Sequence, residues 1–163
     1  MFLVASKLPG RALVGIALVS FAAVAVALAA QHAFGVKPCP WCVMQRGIFL
    51  LIGALALLGW FLRGVARKGS FVLVIALAVC GLAAAIYQNQ VAAKSLSCAM
   101  TLADRINTAL GLEDSLPYVF MVTANCSEAA AYRLLGLPYE LWSGLLYAAI
   151  AVAAVVALRQ RSR

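Results

Sequence analysis

The sequence predicts an all-α integral membrane protein, a bundle of four transmembrane helices with a short membrane-surface helix in its second external loop. Three observations carry this reading. Of the 163 residues, 66% are apolar and only 11% charged, with a mean hydropathy of +1.01, whereas soluble domains run at roughly 45–50% and 25%. Apolar runs of spanning length recur along the chain, and a long polar segment separates the last two. This composition excludes an ordinary soluble domain and a disordered chain, which needs low hydrophobicity and high net charge. A membrane β-barrel is excluded because the runs are unbroken rather than alternating. The length suits one bundle without a separate soluble domain.

The first run, 12–30, has Ser20 as its only polar side chain and matches the roughly 20 residues that a hydrocarbon core of about 30 Å demands. Lys7 and Arg11 before it and Ala27-Leu28-Ala29 near its end also resemble a cleavable secretory signal. A signal core is usually only about 7 to 15 residues, so the run is expected to stay as a span. Further spans are expected at about 43–62, 70–93 and 141–158, with external loops at about 31–42 and 94–140. Gln88, Asn89 and Gln90 mark where the third span leaves the bilayer.

Basic residues set the orientation, because Lys and Arg accumulate on the cytoplasmic side. Lys7 and Arg11 precede span one, Arg63, Arg67 and Lys68 lie between spans two and three, and Arg159, Arg161 and Arg163 follow span four. No acidic residue accompanies them. The opposite side carries Lys37, Lys94, Arg105 and Arg133 against five acidic residues. Both termini are therefore expected in the cytoplasm, with 63–69 as a tight cytoplasmic turn. The formal charge of +8 reads as a topology signal and not as a nucleic-acid surface.

Four of the five cysteines fall on the external side, where disulfides persist. Cys39 and Cys42 form a C-x-x-C pair within Lys37-Pro38-Cys39-Pro40-Trp41-Cys42, and Cys98 and Cys126 lie in the second loop. Cys80, inside span three, reads as a small buried hydrophobe. Pro40 suits the first position of a helix, which would put Cys42 in the first turn, where the helix dipole and Arg46 favour thiolate. Such a thiol suits disulfide exchange. Two other readings compete. Structural zinc lacks a second C-x-x-C or an accompanying histidine. Two static disulfides, one per loop, remain possible, although a bond between Cys39 and Cys42 closes too short a loop to constrain the unfolded chain much.

The uncharged part of span two, 47–62, is 16 residues long and reaches only about 24 Å. Either the helix continues outward through Arg46 and Gln45 or the bilayer thins. Arg46 then lies at the boundary, one turn below Cys42 on the same face. It is either a snorkelling anchor or a fixed positive charge for the Cys42 thiolate and for the anionic, reduced form of a membrane-borne electron acceptor. His32, at the outer end of span one, is a candidate proton shuttle to that acceptor or an interfacial polar cap.

The second loop is long for a connection between neighbouring helices. Within it Ala99, Leu102, Ala103, Ile106, Ala109 and Leu110 recur at helical spacing, with Thr101, Asp104, Arg105, Asn107 and Thr108 opposite. This predicts a short helix that lies on the membrane surface or packs on the bundle. A bond between Cys98 and Cys126 would close about 29 residues, on the order of 3.6 kcal/mol in the chain-entropy model.

Together these residues resemble a known family, the bacterial disulfide bond formation protein B (DsbB). The resemblance spans essentially the whole chain. It rests on four spans with both ends inside, Gln31-His32, Lys37-Pro38-Cys39-x-x-Cys42, Arg46 four residues on, a second cysteine pair in the long loop, and Gly136-Leu137-Pro138 with Trp142 entering span four. It implies a quinone-dependent thiol oxidase of the bacterial inner membrane, with periplasmic cysteine loops, that reoxidises a thioredoxin-like periplasmic partner, DsbA. Its implied redox-active pairs are Cys39–Cys42 and Cys98–Cys126. Cys98 would form the mixed disulfide with the partner, Cys126 would exchange with Cys39, and Cys42 would engage ubiquinone or menaquinone beside Arg46. Because DsbA is itself a strong oxidant, its reoxidation needs a stronger one, which a membrane quinone supplies. Asn89 departs from the family pattern, which has a histidine near this point. Vitamin K epoxide reductase relatives share these parts but carry the loop cysteines before the membrane motif, and a structural membrane protein with static disulfides is the non-enzymatic alternative.

Overall fold

The computed structural model describes residues 8–94, 101–134 and 136–160, with only the backbone at Leu8 and Leu134. Four long helices dominate it: α1 (Leu8–Phe34), α2 (Pro40–Phe61), α3 (Gly64–Gln90) and α8 (Tyr139–Gln160). Each is long and apolar enough to cross a membrane. All are longer than the apolar runs, because hydropathy marks the hydrocarbon core while backbone hydrogen bonding carries a helix past it. At about 1.5 Å per residue the 22 residues of α2 reach about 33 Å, so this helix continues outward through Arg46 and Gln45.

Helix ends follow local chemistry. Gly35 ends α1 in the left-handed region, at φ 65°, and the Val36 N–H donates back to the Ala30 carbonyl at 3.1 Å. Between α2 and α3 only Leu62 and Arg63 are non-helical. The basic segment 63–69, expected as a turn, is therefore mostly the first turns of α3. Arg67 explains the tight connection. Its Nε donates to the Leu62 and Gly59 carbonyls at 2.7 and 3.2 Å and its Nη2 to the Trp60 carbonyl at 3.2 Å, satisfying the orphan acceptors at the end of α2 with a cation.

Around the bundle α1 packs on α2, α2 on α3, and α3 on α8, with a looser α1–α8 contact closing the ring. The core is built from Leu13 and Ile16 of α1, Ile52 and Ala56 of α2, Phe71 and Val74 of α3, and Tyr147 and Ile150 of α8. Glycines permit the closest approaches. A Cβ at Gly81 would lie 2.5 Å from the Tyr147 ring, and one at Gly53 would lie 2.9 Å from the Phe21 ring. The packed stripe of α3 runs through Val74, Ala78, Gly81, Ala85 and Gln88. Cys80 lies off that stripe and is exposed, on the lipid side of a spanning helix. This corrects its reading as a buried residue.

The second loop folds over the outer end of α2. It contains a 3-10 turn (Ala92–Lys94), α4 (Leu102–Ala109), α5 (Leu112–Ser115), α6 (Pro117–Phe120), α7 (Cys126–Ala129) and a two-residue hairpin, β1 (Arg133–Leu134) with β2 (Leu137–Pro138). In the hairpin Arg133 pairs with Pro138 and Leu134 with Leu137, and β2 runs directly into α8. Thr101 caps α4 by accepting from the Asp104 N–H at 3.3 Å. The buried stripe of α4 is Ala103 and Asn107, so Asn107 lies inside although the periodicity set it with the polar residues. Leu102 and Leu110 are exposed.

Candidate active site

The C-x-x-C pair straddles the start of α2. Cys39 is the N-cap in an extended conformation and Pro40 occupies the first helical position, where its missing N–H costs nothing. The Cys42 N–H donates to Cys39 Sγ at 3.4 Å, and the two sulfurs, unbonded, lie 2.9 Å apart. Cys39 is fully buried. Its hydrogen bond with Cys42, reinforced by burial, pushes its thiol up. Cys42 is half-buried and faces a cavity.

Beneath the sulfurs lies a buried amide pair. Gln88 Nε2 is 3.3 Å from Cys42 Sγ and 3.5 Å from Cys39 Sγ, while Gln45 Nε2 donates to Gln88 Oε1 at 2.7 Å. The Tyr147 hydroxyl, from α8, donates to the Gln45 main-chain carbonyl at 2.8 Å. Sequence reasoning took Gln88 only as a sign that the span was ending. Its position seven residues after Gly81, on the packed stripe of α3, was the available signal.

Arg46 follows one turn below Cys42 and is only 6% exposed. Nη1 donates to Gln31 Oε1 at 2.6 Å and to the Val119 carbonyl at 2.8 Å, and Nη2 reaches the Ala27 carbonyl at 3.5 Å. Every one of these acceptors is neutral, an unusual setting for a buried charge, which is ordinarily paired. Arg46 and Cys42 line the same cavity of about 380 Å³, within the range of small-molecule sites. Its walls are mostly apolar, from Val19, Ala23 and Val26 of α1 to Leu146 of α8. Val19 and Val26 are themselves exposed on the surface of α1, so the cavity opens sideways, toward lipid, at the loose α1–α8 seam. Glu140, buried at the start of α8, also lines it and accepts from Asn89 Nδ2 at 3.3 Å. His32 lies elsewhere. Its Nε2 is 3.0 Å from the Tyr118 carbonyl oxygen, in a second cleft against Pro117 and Tyr118.

The second cysteine segment is docked against the first. Cys126 opens α7, is buried and is disulfide-bonded, whereas Cys39, Cys42 and Cys80 are free. Cys98 lies outside the described residues. The Pro38 carbonyl accepts from the Thr123 and Ala124 N–H groups at 3.0 and 3.2 Å, and Asn107 Nδ2 donates to the Pro40 carbonyl at 3.0 Å. Lys37 pairs with Glu128 at 3.0 Å, and this hydrogen bond and the carboxylate charge push the Lys37 ammonium up. Cys39 and Cys126 consequently share one buried cluster with Trp41, Ala92 and Ala129.

Similarity to known proteins extends over nearly the whole chain. The family model described as disulfide bond formation protein DsbB matches residues 9–157. Disulfide bond formation protein B of Dechloromonas aromatica is 32% identical over 99% of both chains. That of Cupriavidus necator is 32% identical over 91% of each. Disulfide bond formation protein B 2 of Burkholderia lata is 35% identical over 86% of this chain and 83% of its own.

Proposed function

The chain belongs to the disulfide bond formation protein B family, a multi-pass membrane oxidoreductase, and from that membership we propose a quinone-dependent thiol oxidase. In this reading it reoxidises a DsbA-like thioredoxin-fold dithiol at the outer face of the bacterial inner membrane. Both termini are cytoplasmic and the cysteine loops periplasmic, as the basic residues favour.

The observation that carries the proposal is the shared cavity of Cys42 and Arg46, apolar and open toward lipid. Its volume, its apolar walls and a guanidinium bonded only to neutral acceptors fit a membrane quinone, which Cys42, Arg46 and Gln88 would hold. The quinone supplies a two-electron acceptor. The rest is thiol–disulfide exchange by this chain's sulfurs. A partner thiolate attacks the Cys98–Cys126 bond at Cys98, and Cys126 leaves as thiolate. Cys126 then attacks Cys39 of the Cys39–Cys42 bond and frees Cys42 as thiolate. The partner's second thiolate attacks the mixed disulfide at its own sulfur, so the partner leaves as disulfide with Cys98 released. Attack by Cys98 on the Cys126–Cys39 bond restores Cys98–Cys126 and leaves two electrons on Cys39 and Cys42. Cys39 and Cys126 belong to one buried cluster, which favours their exchange. Arg46 stabilises negative charge beside Cys42 throughout.

The test is anaerobic reduction of ubiquinone or menaquinone analogues by the purified protein, followed by absorbance on adding a reduced DsbA-like substrate, with Cys39→Ser as control. Turnover that disappears in the variant supports the relay. No turnover from protein with intact disulfides overturns it in favour of static structural disulfides.

A further inference from the structure

We propose that Gln88 is a catalytic hydrogen-bond donor to the Cys39–Cys42 sulfur pair, and that Gln45 is the positioning residue that aims it. The proposal rests on the redox role assigned above to these cysteines.

Two primary amides buried inside a membrane bundle are costly unless their hydrogen-bonding groups are used. Gln88 is 2% exposed and Gln45 3%. An amide can flip, exchanging donor for acceptor. Here Gln45 couples the two amides: its Nε2 donates to Gln88 Oε1 at 2.7 Å, and in this arrangement, the one that suits anionic sulfur, the Gln88 NH2 group faces the sulfurs. The two N–H bonds then serve one sulfur each, at 3.3 and 3.5 Å. Tyr147 of α8 donates to the Gln45 main-chain carbonyl at 2.8 Å, which ties the helical turn that carries this amide to a different helix.

A disulfide is a weak acceptor and a thiolate a strong one, since hydrogen bonds to charged groups exceed those between neutral ones. The amide therefore stabilises the reduced state more than the oxidised one. Reduction of the Cys39–Cys42 bond by an incoming dithiol transfers two electrons. The dithiol becomes a disulfide and gives up two protons, of which one passes to the reduced sulfur pair and the other leaves to solvent, so that the pair carries one negative charge. Gln88, buried in the bundle, donates to that charge from α3. It thereby makes the pair a better oxidant of the second-loop cysteines.

The experiment equilibrates the full-length protein, without quinone, in thiol–disulfide buffers of graded ratio. After alkylation, mass analysis of the peptide that contains Cys39 and Cys42 reads this pair separately from Cys98 and Cys126. Gln88→Leu should shift the equilibrium toward disulfide about ten-fold, equivalent to about 30 mV for a two-electron couple. Gln88→Glu, nearly the same shape but an acceptor when ionised, should shift it at least as far in the same direction. Gln45→Leu, which frees the amide to flip, should shift it two- to five-fold. If Gln88→Leu does not fold, the other two variants decide. Equilibria of Gln88→Glu and Gln45→Leu within two-fold of the parent, or shifted toward dithiol, overturn the proposal and leave Gln88 a packing residue. Failure of the parent protein to reduce quinone would overturn the proposed function instead, and these equilibria remain readable without it.

Discussion

Arg46 donates through Nη1 to the Val119 carbonyl at 2.8 Å, joining α2 to a loop segment 73 residues away in sequence. The same nitrogen holds Gln31 of α1 at 2.6 Å, so one guanidinium sets the positions of three segments around the cavity. Its charge is nevertheless left without an anionic partner among these contacts. Removing a preorganised donor at a site of developing charge typically costs about 10²–10³ in rate. Arg46→Ala is therefore expected to lower quinone-linked thiol oxidation about a hundred-fold. Arg46→Lys, which keeps the charge but loses the fork, should lower it about ten-fold. Anaerobic quinone kinetics with thermal melting of the same samples checks this. Parent-like kinetics in Arg46→Ala would reduce Arg46 to an interfacial anchor.

Lys37 and Glu128 stand two residues from Cys39 and Cys126 respectively, and their 3.0 Å ion pair spans the two cysteine segments. Both side chains are about half exposed, so screening limits the effect. Glu128→Lys is expected to slow exchange between the cysteine pairs by only about two- to three-fold, less at 0.5 M salt, in rapid-quench measurements. Glu128 raises the Lys37 ammonium, so the pair's contribution is complete below the ordinary lysine value and disappears as pH rises through the raised one. From pH 7 to 9 the ratio of parent to Glu128→Lys rates should be flat. A ratio that falls steeply in this window would assign the coupling to another group.

How far the sequence discloses this site depends on what each residue's signal refers to. The start of α2 was legible because Pro40 and the N-cap act within a single turn, and the spans were legible because each is an unbroken apolar run. Burial within a span was not legible. Lipid is as apolar as a bundle core, so hydropathy does not separate the lipid-facing surface of α3 from its packed one. Cys80, expected inside, is therefore exposed, while Gln88, close to the end of α3 as expected, is buried. Glu140 and Asn107 were missed for a related reason. Their partners, Asn89 and the Pro40 carbonyl, come from other elements, and no periodicity of their own helices records them.

Asn107 offers a direct check on the docking of α4. Its side chain is buried and Nδ2 donates to the Pro40 carbonyl at 3.0 Å, inside the motif itself. Asn107→Ala removes that donor while leaving the Thr101 cap intact. Loss of one buried hydrogen bond costs about 1–3 kcal/mol. Amide exchange across 102–109 should speed up by about five- to thirty-fold, the equivalent of one or two kcal/mol, with the spanning helices unaffected. Unchanged protection of α4 would mean that Ala103 packing alone holds it.

At Gly81 the missing side chain lets Tyr147 approach α3. A Cβ there would meet Tyr147 Cε1 and Cζ at 2.5 Å and Cδ1 at 2.7 Å. The ring cannot easily swing aside. It is stacked on Phe49 with centroids 4.1 Å apart and planes 7° from parallel, and its hydroxyl is tied to the Gln45 carbonyl. Gly81→Ala should therefore destabilise the bundle by at least the about 1–3 kcal/mol typical of overpacking. Gly144→Ala is the control on the facing helix. Its nearest neighbours would be Ala85 Cβ at 3.5 Å and Leu82 Cδ1 at 3.7 Å, ordinary contacts, so it should be neutral or slightly stabilising. Reversible unfolding in mixed micelles distinguishes the two. In a Tyr147→Ala background the cost of Gly81→Ala should largely vanish, because contacting residues couple and distant ones add. Equal costs in both backgrounds would show that the strain arises within α3 and not against the ring that holds Gln45.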